Sequence, residues 1–128
     1  MKVLLDTHAF LWLITDDNRL SQTARKAFLN PKNSLLFSAA SLWEICIKQS
    51  LGKLSLRSGW LQTIQNELKV NAIQWLPIEI AHCARLTKLP FHHRDPFDRM
   101  LIAQALVESL QLLSRDDRFV AYKIKCIW

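Results

Sequence analysis

Four acidic residues far apart in the chain, Asp6, Glu44, Asp98 and Asp116, stand where carboxylates can do chemistry. Asp6 ends the short apolar run Lys2 to Leu5, Glu44 lies one helical turn past the run Leu35 to Ser38, and Asp116 follows Gln111 to Ser114. Asp98 falls in the first turn of a helix that Asp95-Pro96 opens, since Asp is a favoured N-cap and proline is favoured at the first helical position. Each acid also has an ordinary use. Ser41-Leu42-Trp43-Glu44 and Asp95-Pro96-Phe97-Asp98 both have the spacing of a capping box, and Asp6, Asp95 and Asp116 can each cap the helical stretch that follows. Brought together, four helix-start carboxylates repel one another unless a cation sits between them. The matching partner is a hard divalent ion, Mg²⁺ or Mn²⁺, which takes oxygen ligands and completes an octahedral shell with water or a phosphate oxygen.

What would gather these acids is the alternation of strands and helices. Strands are expected at Lys2 to Leu5, Leu35 to Ser38, Ala72 to Leu76 and Gln111 to Ser114, with an edge strand at Ile124 to Trp128. Between them the periodicity predicts helices from Thr7 to Ile14, after Ser21, from a Ser41 cap through Lys48, over Trp60 to Leu68, over Ile78 to Leu86 and from Asp95 to Leu110, and a helical turn at Asp116 to Tyr122. Such a pattern indicates an α/β fold, a three-layer α/β/α sandwich with a mainly parallel sheet of four to five strands, formed by residues 1–128 as one domain. In parallel sheets, binding groups collect outside the carboxyl ends of the strands, which is where the acids lie.

The composition narrows the chemistry further. The chain has 128 residues, 50% of them hydrophobic and 22% charged, enough to build a core without disulfides or structural metal. Its two glycines, Gly52 and Gly59, cannot supply a phosphate-binding loop, a dinucleotide turn or a nucleophile elbow, each of which needs closely spaced glycines. Cys46, Cys83 and Cys126 are an odd number with no paired spacing, which suits a reducing compartment. No signal-type or membrane-spanning apolar stretch is read, so a cytoplasmic location and no membrane partner are expected. The net charge is +6, and with the four acids set aside the rest of the chain carries +10; an acidic pocket in a basic body suits a metal-assisted nuclease whose surface attracts a phosphate backbone. Arg94, Arg99, Arg115 and Arg118 flank the acids and are candidate phosphate contacts. His92 and His93 read as surface loop residues, His8 and His82 as structural, and the five tryptophans as core or interface.

Taken in order, Leu4-Leu5-Asp6-Thr7-His8, Ser41-Leu42-Trp43-Glu44-Ile45, Gly52-Lys53-Leu54, His93-Arg94-Asp95-Pro96-Phe97-Asp98-Arg99-Met100-Leu101-Ile102-Ala103-Gln104-Ala105 and Ser114-Arg115-Asp116 resemble the successive signatures of PIN-domain toxins of the VapC type. That resemblance implies a Mg²⁺- or Mn²⁺-dependent endoribonuclease, the toxin of a type II toxin–antitoxin module, homodimeric and inhibited by a cognate antitoxin. It puts Asp6, Glu44 and Asp98 on the metal-coordinating acids and Asp116 on the fourth acidic position, with Asp95 as an extra carboxylate of the motif. Thr7 and Ser114 then become hydroxyls that hold the ligating carboxylates, or loop hydroxyls with ordinary hydrogen bonds. The apolar stretch Phe10 to Ile14, or the fourth helix over Trp60 to Leu68, is a candidate dimer or antitoxin groove. Two other readings compete: a PIN-like module that binds RNA or protein without cutting, and a phosphotransferase with Asp6 as nucleophile. The second normally has another acid two residues on, where this chain has His8.

Overall fold

Val3, Leu4 and Leu5 are all fully buried, and consecutive residues are buried together only in a strand covered on both faces. The computed structural model describes residues 1–128 and places this run at the centre of its sheet. The elements are β1 (Lys2–Leu5), α1 (Thr7–Ile14), α2 (Gln22–Leu29), β2 (Ser34–Ser38), α3 (Ala39–Ser50), α4 (Trp60–Val70), β3 (Gln74–Leu76), α5 (Ile80–Leu86), α6 (Pro96–Glu108), β4 (Gln111–Leu113), a 3₁₀ helix (Asp117–Tyr122) and β5 (Cys126–Ile127). All strand pairs are parallel, in the order β3-β2-β1-β4-β5. Val3 pairs with Leu35 on one side and Gln111 on the other.

Side chains alternate across this sheet with period two. Leu4, Leu36 and Leu112 meet Leu101, Ile102 and Ala105 of α6 and Phe119 of the 3₁₀ helix. Val3, Leu5, Leu35, Phe37 and Leu113 face the other way, onto Phe10 of α1, Ala24 of α2, Ile45 of α3 and Ile64 of α4. The two layers of helices complete the α/β/α sandwich, and the sheet proves wholly parallel with five strands.

One cap differs from the sequence reading. Helix α3 begins at Ala39, and Ser38 rather than Ser41 caps it, its Oγ accepting the Ala40 N–H at 3.0 Å. The chain turns into the helix as soon as β2 ends, so Ser41 lies inside the first turns and is fully buried. The capping box expected between Ser41 and Glu44 is therefore absent, which leaves Glu44 free for another role. Helix α6 starts as expected, with Asp95 as N-cap and Pro96 first in the helix. No helix is long and apolar enough to cross a membrane.

Candidate active site

The strand order reverses direction at β1, with β2 on one side and β4 on the other. In a parallel sheet this opens a crevice between the carboxyl ends of the two diverging strands. Asp6 stands at the end of β1. Its Oδ1 caps α1 by accepting the Ala9 N–H at 3.0 Å, and its Oδ2 accepts the Ser114 hydroxyl at 2.6 Å. Ser114 Oγ in turn accepts the Asp116 N–H at 3.0 Å, so one hydroxyl fixes the acids that follow β1 and β4 relative to each other. Burial raises the Asp6 carboxyl above its ordinary range, against the lowering effect of the Ser114 bond.

Glu44 arrives from α3 and is 3% exposed. Its Oε2 accepts a 2.6 Å charge-assisted bond from Lys48, one turn on. Two buried polar contacts anchor α3 to its neighbours. Thr7 Oγ1 donates to Ser41 Oγ at 2.9 Å, joining α1 to α3, and Ser38 Oγ, at the end of β2 where it caps α3, donates to Gln104 Oε1 of α6 at 2.5 Å. Thr7 thus holds the helix that carries Glu44 without touching an acid itself. Neither Ser38 nor Gln104 stood out in the sequence, because a polar residue among apolar ones reads the same whether it is solvated or paired.

On α6, Asp95 Oδ1 accepts the N–H groups of Phe97 and Asp98 at 2.9 and 3.0 Å. Asp98 is thereby relieved of any capping duty. Its half-buried carboxyl is pushed up to about 7, first by burial and then by the charges of Asp95, Glu44, Asp6 and Asp116. Acids from four separate parts of the sequence thus act on one group. Asp116 behaves oppositely, held at about 2 chiefly by its hydrogen bond from Arg118. The donors are hard carboxylate oxygens, of which Glu44 and Asp116 already have Lys48 and Arg118 as partners, and a hard divalent ion fits such a set.

A family model described as PIN domain matches residues 3–125. The chain belongs to the PIN-domain family. The fold of this PIN domain recurs in VapBC2 from Rickettsia felis bound to a DNA fragment from its promoter, with 13% identity over 98% of this chain and 97% of that one and a TM-score of 0.73. It also recurs in VapBC-1 from nontypeable Haemophilus influenzae, 21% identical over 98% and 96% of the chains with a TM-score of 0.66. FitAcB from Neisseria gonorrhoeae is similar too, at 16% identity, 97% and 95% coverage and a TM-score of 0.59. No curated protein matches the chain in sequence.

Two expectations change inside this PIN domain, and a third is narrowed. Arg99 is buried, and its guanidinium donates to the carbonyls of Pro90, Leu86 and Leu89 at 2.9, 3.3 and 3.4 Å, beneath the Phe91 ring. With its donors turned inward it is no phosphate contact, whereas Arg94, Arg115 and Arg118 are exposed. His93, read as a surface residue, is 2% exposed. Its ring is within reach of the acids: one ligand atom each from His93, Asp98 and Asp116 lie within 4.8 Å of one another. Of the two places expected for the tryptophans, core or interface, Trp43 at 58% exposed is not in the core; it meets Phe97 edge-on at 5.3 Å.

Proposed function

We propose that this PIN-domain protein is a metal-dependent endoribonuclease of the VapC type, the toxin of a toxin–antitoxin pair acting in the cytoplasm. The observation that carries the reading is geometric: Asp98 and Asp116 offer carboxylate oxygens within 4.8 Å of each other, and the Ser114 hydroxyl ties Asp6 to the same place by donating to Asp6 and accepting the Asp116 N–H. A fold that crowds acids around a half-buried carboxyl needs a counter-ion, and a divalent ion supplies one. Asp6, Glu44, Asp98 and Asp116 would hold it, with Asp95 contributing charge while capping α6. When bound, such an ion polarises a phosphoryl oxygen and makes water more acidic.

The remaining work falls to the chain itself. Arg94, Arg115 and Arg118 neutralise the phosphates of an incoming strand, and their exposure lets them follow it. The open face of Trp43 offers a surface on which an unpaired base can stack. A phosphotransferase with Asp6 as nucleophile normally has a second acid two residues on, where this chain has His8. This favours hydrolysis over a covalent aspartyl phosphate.

An apolar groove of about 550 Å³ runs between α1 and α4, lined by Leu11, Ile14, Leu56, Trp60 and Ile64 among others. An apolar helix of an antitoxin fits such a groove, and the similar structures include VapBC2, VapBC-1, FitAcB and a toxin-antitoxin complex from Klebsiella pneumoniae. A homodimer is part of the same proposal. The test is incubation of antitoxin-free protein with total bacterial RNA in Mg²⁺ or Mn²⁺, alongside EDTA and a folded Asp98→Asn variant. Discrete cleavage lost in both controls supports the nuclease; equal inertness of wild type and variant, with RNA still bound, refutes it.

A further inference from the structure

His93 adjoins the acids without a task in the mechanism above, yet the fold fixes its ring from several sides. The side chain is 1% exposed, stacks on Phe119 at 5.0 Å and 18°, and lies 5.5 Å from the Tyr122 ring. Its backbone N–H donates to the Tyr122 hydroxyl at 2.8 Å. The segment leading to it is tied down by Arg99, which holds the carbonyls of Leu86, Leu89 and Pro90. Nε2 faces Asp116 Oδ2 at 3.4 Å, while Nδ1 is buried with no partner. A buried N–H without an acceptor is rarer and costlier than an unpaired acceptor. The proton therefore belongs on Nε2, pointing at Asp116.

We propose that His93 is a positioning residue for Asp116, donating Nε2–H to hold that carboxylate at the metal cluster when Arg118 leaves it. The inference rests on the nuclease reading, since the metal is what Asp116 is positioned for. Asp116 Oδ2 accepts from Arg118 Nη2 at 2.7 Å, and the Arg118 side chain is 64% exposed. A substrate phosphate offers this arginine a second anion and can draw it away. His93 has no such freedom: its ring is enclosed and its one hydrogen-bond partner is Asp116. At 3.4 Å the His93 contact is the longer of the two that reach Asp116 Oδ2, where Arg118 Nη2 lies at 2.7 Å. Donors that orient ligating groups in this way are typically worth 10- to 100-fold in metal affinity.

The test compares wild type, His93→Phe, His93→Gln and each change combined with Asp116→Asn. Phenylalanine keeps the stack on Phe119 and removes the donor, and glutamine returns an N–H near the Nε2 position. Long-range ¹H–¹⁵N spectra of metal-free wild type locate the ring proton, thermal unfolding in EDTA checks the fold, and electron paramagnetic resonance measures Mn²⁺ uptake. The expected results are a proton on Nε2, Mn²⁺ binding weakened about tenfold in His93→Phe and largely kept in His93→Gln, and no further loss from His93→Phe once Asp116 is asparagine. A proton on Nδ1, an equal loss in both backgrounds, or direct ¹⁴N coupling to bound Mn²⁺ in spin-echo spectra would each overturn the proposal. If His93→Phe does not fold, the ring-proton position and the glutamine variant decide it. Wild type that takes up no Mn²⁺ refutes the nuclease reading as well, whereas wild type and His93→Phe binding equally refutes only the role of His93.

Discussion

Replacing Asp98 by asparagine should stabilise the metal-free protein at neutral pH while abolishing metal-dependent cleavage. The Asp98 carboxyl sits at about 7 instead of 3.8, raised first by burial and then by Asp95, Glu44, Asp6 and Asp116. Between those two values the folded protein keeps a proton that the unfolded chain has lost. Stability therefore falls as pH rises through this window, and the loss is complete above it. About three pH units at roughly 1.4 kcal/mol each is about 4 kcal/mol. Solvent screening at a half-exposed carboxyl reduces this to about 2 kcal/mol. An asparagine of the same shape carries no charge and recovers that amount, roughly 8 °C of melting temperature for a chain of this size. The assay is thermal unfolding of both proteins in EDTA at pH 8 and pH 5. The gain should be full at pH 8 and shrink to about a third at pH 5, where less of the window has been crossed. A gain independent of pH, or a variant less stable than wild type at pH 8, would refute the crowding of charges on which the site is built.

Three further outcomes follow from the same geometry. Mn²⁺ uptake must displace the Asp98 proton, so affinity measured by calorimetry should fall roughly tenfold from pH 8 to pH 6; constant affinity would remove Asp98 from the site. Lys48→Met leaves the buried Glu44 carboxylate without its partner and should cost roughly 1–3 kcal/mol in urea unfolding without metal, most of it restored by Mn²⁺; unchanged stability would show that Glu44 needs no counter-charge. Arg99→Met should lower stability by roughly 2–3 kcal/mol by stranding its carbonyl partners yet leave the salt dependence of RNA binding unaltered, whereas Arg94→Ala and Arg115→Ala should each reduce the salt slope by about 0.7; a shallower slope in Arg99→Met would contradict its inward placement.

Much of the fold is legible in local sequence because its signals are short-range. The run Val3 to Leu5 reads as a buried strand, and Asp95-Pro96 marks a helix start that the structure reproduces. The α/β alternation prescribes a parallel sheet whatever the side chains do in detail. Ser38 and Ser41 show the limit. Both are serines near the start of one helix, and which of them caps it depends on how abruptly β2 turns into α3, which residue type does not encode. Trp43 is similar: its neighbours suit core or interface alike, while the face it occupies leaves it more than half exposed.

The sequence by itself determined the acids, their places after strands or at helix starts, and an architecture whose strand ends face one edge. Tertiary structure decided which side chains act together. Arg99 resembles the other basic residues of its segment until the segment from Leu86 to Pro90 folds over it and turns its donors inward. His93 became a neighbour of Asp116 only because Phe119 and Tyr122, well over twenty residues later, enclose it. The charge state of Asp98 belongs to the same class. Burial and Coulomb interaction depend on distances through space, and residues remote in sequence have no such distances until the chain has folded.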